Sequence, residues 1–89
     1  MLHMVISKHT AESCPGRPGN QDVFPCLQKM NELLAAKEIK IVGRWADPPG
    51  HVNYLVLDAP NAHAITEAFM ESGLFAYTSN RITPVLSMD

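Results

Sequence analysis

Three side chains able to hold a metal ion or move a proton, His9, Glu12 and Cys14, are gathered in the stretch SKHTAESCPGRPGN, residues 7–20. Imidazole and thiolate are ligands for zinc and, among redox metals, copper or iron. Two histidines with one cysteine leave a fourth position open for water or substrate. The spacing H-x₂-E-x-C is no established metal signature, so the argument rests on what else joins these residues. The Pro/Gly punctuation around Cys14 stiffens the loop and lowers the entropy lost on holding the thiol in place. A second polar run, WADPPGH (45–51), supplies Trp45, Asp47 and His51. A carboxylate at Glu12 or Asp47 can complete a coordination shell or fix a histidine tautomer.

The elements that must position these residues follow from periodicity. Leu2, Met4 and Ile6 alternate with His3, Val5 and Ser7, the period of two that marks a strand. Residues 8–19 form a loop, and NQDVFPCLQKMNELLAAKE (20–38) reads as a helix, with Asn20 or Asp22 as cap and Pro25 inside the first turn. Leu27, Met30, Leu33 and Leu34 give that helix its apolar stripe. IKIVGRWA (39–46) and HVNYLVLD (51–58) are strands joined through DPPG into a hairpin. Asp58 and Pro60 are expected to open a second helix that Gly73 ends, its apolar side being Ala62, Ile65, Ala68 and Phe69. A last strand lies around 77–86, with Pro84 at an edge or bulge.

The order β-α-β-β-α-β defines one α+β domain over residues 1–89. It is a ferredoxin-like βαββαβ unit: a four-stranded antiparallel sheet carrying two helices on one face. Leu2, Met4 and Ile6 are expected to face the helices, which leaves His3, Val5, Ser7 and His9 on the open face. In this topology the ends of strands one and two and the start of strand three share one edge of the sheet. Ser7, His9, Glu12, Cys14, Trp45, Asp47, His51 and Asn53 are therefore expected together, with His3 and His63 at the other end. Tyr54 and Tyr77 can offer hydroxyls to a pocket or simply pack.

Pieces such as HTAESCP, GRWADPPGH and LDAPNAHA resemble small uncharacterised members of the dimeric α+β barrel superfamily. That resemblance implies a homodimer whose open sheet faces press together. It also implies a range of activities that includes cofactor-free monooxygenases, isomerases, dehydratases and haem-handling proteins, as analogy from fold.

Bulk properties exclude several classes. With 7 basic and 9 acidic residues there is no basic stripe, so a nucleic-acid partner is not expected. No apolar run is long enough for a membrane span, and no signal-peptide pattern opens the chain, so the expected location is cytoplasmic. Phosphate-binding glycine motifs are absent, which argues against a nucleotide cofactor. The two cysteines are expected as thiols, Cys26 in the core. His63 and Glu67, spaced i,i+4, read as a solvated helix pair.

Three functions fit. The first is a homodimer binding a metal ion, zinc before copper or iron, at His9, Glu12, Cys14 and His51, or a small molecule contacted by Ser7, Trp45, Asp47 and Tyr54. The second is a cofactor-free or metal-assisted isomerase or monooxygenase with His9 or His51 as base. The third is a non-catalytic dimerisation or regulatory module.

Overall fold

A computed structural model describes all 89 residues, in the order β1 (Leu2–Lys8), α1 (Val23–Ala36), β2 (Lys40–Asp47), β3 (Val52–Asp58), α2 (Ala62–Ser72) and β4 (Ser79–Pro84), with one 3₁₀ turn at Leu74–Ala76. The strands form one antiparallel sheet in the order β2-β3-β1-β4, the ferredoxin-like arrangement. Pro84 closes the edge strand β4, where its missing N–H interrupts no central ladder.

The core shows which face the helices cover. Val5 and Leu57 are fully buried and pack with Val23, Met30 and Leu34 of α1 and Ile65, Ala68 and Phe69 of α2. His3, Val5 and Ser7 therefore look toward the helices, and all three are buried. This reverses the expected parity of β1: Leu2, Met4 and Ile6 lie on the open face. The physical reason is that both faces of the strand are apolar enough to be covered. Alternation alone cannot say which one meets the helices. His3 sits in the core with its Nδ1 3.2 Å from the Met1 carbonyl oxygen.

The open face is apolar as well. By register Met4 lies beside Val56, Ile6 beside Tyr54, and Tyr54 beside Trp45. Trp45 is 60% exposed and its indole lies over Gly43, leaving no room there for a Cβ. A register shift in β2 sets this up. Ile41 is opposite Leu57 and Gly43 is opposite Val56, so Val42 is the extra residue of a bulge. Beyond it the alternation is inverted, and Arg44 and Ala46 join the helix side while Trp45 takes the other.

At α1 the N-cap is Asp22, one of the two expected candidates, though it makes no side-chain cap bond, and Asn20 turns back to the loop. At α2 the cap is Asn61, whose Oδ1 accepts from the Ala64 N–H at 2.8 Å. Asp58 instead pairs with the N-terminal ammonium at 2.7 Å, being three residues too early to reach the first turn. Gly73 ends α2 at φ +84°, the left-handed conformation that glycine adopts without a Cβ clash.

Candidate metal centre and cleft

The chain leaving β1 is tied at once to the β2–β3 turn: the His9 N–H donates to the His51 carbonyl at 3.0 Å. That turn is built by Asp47, whose Oδ1 accepts from the Gly50 N–H at 3.2 Å and whose carboxylate fills the space a Cβ on Gly50 would need. The His51 N–H donates to the Pro48 carbonyl, and His51 itself sits at φ +55°. A left-handed backbone is unfavourable for a residue with a side chain, although histidine tolerates it better than most. The loop that follows is pinned in turn. The Asn20 amide donates to the Glu12 and Cys14 carbonyls, the Arg17 N–H donates to the Cys14 carbonyl at 3.0 Å, and the Ser13 hydroxyl donates to the Tyr77 carbonyl.

These two anchored segments bring together His9, Cys14 and His51. Their ligand atoms all lie within 4.8 Å of one another. His51 Nδ1 is 3.3 Å from His9 Nε2, with the rings edge to face. Two nitrogens bound tetrahedrally to zinc at roughly 2.0–2.1 Å are separated by about 3.3–3.4 Å, so this pair already stands at coordination spacing. Burial first, and the His51 imidazole second, hold the His9 pKa below the ordinary 6.5. His9 is therefore neutral at pH 7, the form that binds metal or accepts a proton. Both cysteines are free thiols.

Beside the cluster opens a cleft of ≈ 680 Å³ between α1 and the helix side of the sheet. His9 and Cys14 line one end. Leu27, Met30, Leu55 and Phe69 supply apolar wall, and Ser7 and Asn53 place a hydroxyl and a carboxamide in the middle. The cleft is thus on the helix side of the sheet, whereas Ser7 and His9 were expected on the open face, because the parity of β1 is reversed.

Of the residues singled out by sequence, Ser7, Trp45 and Asp47 line this cleft, as do His9 and Cys14. Glu12 is exposed and lies outside the three-ligand group. Tyr54 belongs to the open face in register with Ile6 and Trp45 and is not part of the cleft wall. Cys26 is half-buried against the core, and His63 pairs with Glu67 at 3.4 Å on the exposed side of α2. Arg44 and Asn31, which also line the cleft, were not anticipated. The bulge that turns Arg44 inward is hidden in sequence, where only the glycine at 43 marks it.

The fold and this site define a class: a small ferredoxin-like α+β domain with a His/Cys cluster at the edge of an open cleft. Two solved structures share the architecture. One is SCO4226 from Streptomyces coelicolor A3(2), at 17% identity, TM-score 0.64, covering 96% of this chain and 98% of the other. The second is muconolactone isomerase, at 19% identity, TM-score 0.61, covering 98% of this chain and 90% of that one. No family model and no curated protein matches the sequence. No helix is long and apolar enough to cross a membrane.

Proposed function

We propose that this protein is a homodimer that binds a transition metal, zinc first, through His9 Nε2, His51 Nδ1 and Cys14 Sγ, and a small organic molecule in the adjoining cleft. The observation that carries the reading is the 3.3 Å separation of the two imidazole nitrogens, with a thiol in the same group of atoms. Three protein ligands leave one position of a tetrahedron open. The cleft that His9 and Cys14 line is the natural source of a fourth ligand, water or substrate. Glu12 is too exposed to be counted among the ligands and stands as an auxiliary base at most. Dimerisation is supported by the apolar open face of Leu2, Met4, Ile6, Val56 and Trp45, and by the fold shared with proteins of the dimeric superfamily. Two unpaired thiols suit a reducing cytoplasm.

The direct test is elemental mass spectrometry on protein purified without a polyhistidine tag or chelator, beside the Cys14→Ala variant. About one zinc per chain, absent from the variant, is the expected result. A metal-free wild type that also fails to take up added Zn²⁺ overturns the metal reading.

A second reading has its own support. A neutral His9 at the wall of an apolar cleft is poised as a general base, and muconolactone isomerase has the same fold. In a metal-free protein, His9 would take a proton from a carbon acid held in the cleft and return it at another carbon. His51, 3.3 Å away, would orient the ring.

A further inference from the structure

The cleft wall contains one arginine, Arg44, and no lysine. Arg44 forms no ion pair. Its one side-chain hydrogen bond runs from Nη1 to Asn31 Oδ1 on α1 at 3.4 Å, the only such bond between α1 and the sheet. The single acid of the wall, Asp47, is committed to the Gly50 N–H of its turn. The cleft therefore carries a guanidinium without an ion-pair partner at a strand position away from His9. Apolar side chains (Leu27, Met30, Leu34, Leu55, Phe69) line the space between, and Ser7 and Asn53 make no side-chain hydrogen bond to any residue. Arg44 stands opposite Leu55, which stands opposite Val5, so its register position is four residues along the strand direction from His9. That is about 13 Å at a strand's rise per residue.

We infer that the organic ligand is an amphipathic carboxylate. Its anionic group pairs with Arg44, its apolar body fills the groove between α1 and β3, and its far end reaches the His9–Cys14–His51 cluster. This rests on the reading of the cleft as a ligand site. A planar guanidinium matches a carboxylate in fork geometry, and Asn31 holds it oriented across the mouth. A cleft of this volume suits a molecule of small-ligand size. Polar groups at mid-length would meet the free Ser7 hydroxyl and Asn53 amide.

Trp45, the only tryptophan, borders the cleft from the strand position next to Arg44 with its indole on the open face, and serves as a reporter of changes at Arg44. The probes are 4-phenylbutyrate and its uncharged isostere 4-phenylbutyramide, titrated against the full chain by Trp45 fluorescence and by ligand-observed NMR, in wild type, Arg44→Met and Arg44→Lys. The expected result is a roughly two- to fivefold preference for the carboxylate in wild type, as for a charge pair at a partly exposed rim. It should be lost in Arg44→Met and retained in part in Arg44→Lys. Equal binding of the two probes, a preference that survives Arg44→Met, or no binding of either at millimolar concentration would each overturn the inference. Zinc content measured on the same samples keeps the two readings apart. Arg44→Met should load metal like wild type, so a lost preference with zinc intact speaks only to the carboxylate. A preference in zinc-free protein would leave the carboxylate standing and remove the metal.

Discussion

Replacing His51 by glycine should strengthen the fold while destroying the site. His51 is held at φ +55°, and the left-handed region costs a residue with a Cβ roughly 1–2 kcal/mol. Glycine removes that strain but adds freedom to the unfolded chain, giving back roughly 0.5–1 kcal/mol. The loss of a half-buried ring touching His9 takes a little more. The net expectation for metal-free protein is a gain of about 0.5–1 kcal/mol, which in a domain of this size raises the melting temperature by about 2–8 °C. His51→Ala keeps the strained backbone and loses the ring, so it should melt at or below wild type. The assay is thermal and urea unfolding of the three proteins after chelator treatment, then again with added Zn²⁺. With the metal at about a hundred times Kd, wild type should gain ~2.7 kcal/mol, and both variants should gain little. If His51→Gly is no more stable than His51→Ala, the strain argument is wrong. If His51→Gly still responds fully to Zn²⁺, His51 is not a ligand.

Two further outcomes follow from the same geometry. The His9 pKa is depressed in the folded chain, so below its ordinary value of 6.5 the unfolded state binds more protons than the native one. Stability should therefore fall as pH drops from about 6.5 toward the folded value, and His9→Asn should flatten that part of a melting-temperature profile between pH 5 and 7.5. Gly43→Ala places a Cβ 2.6 Å from the outer edge of the Trp45 ring. The exposed indole should swing away, giving a changed emission maximum and weakening the proposed dimer as read by sedimentation, with stability of the isolated chain altered by less than about 1 kcal/mol.

Much of this molecule is legible in its sequence because element type is a local property. The alternation of residues 2–7, the stripe from Leu27 to Leu34 and the breaks at Pro48–Gly50 and Gly73 each express a backbone period or a turn conformation. Their order then specifies the ferredoxin-like arrangement. The approach of His9, Cys14 and His51 was legible too, since chain direction alone places the end of β1 beside the start of β3. Facing was not. Whether Met4 or Val5 meets the helices depends on how all four strands share two apolar faces, and six residues cannot record that sum. The β2 bulge compounds it: one inserted residue at Val42 carries Arg44 to the helix side and turns the Trp45 indole to the open face. The left-handed backbone of His51 is likewise a tertiary decision, because its carbonyl is tied to the N–H of His9 at the far end of another strand. Periodicity is written residue by residue, whereas burial is settled only when every element competes for the same interior.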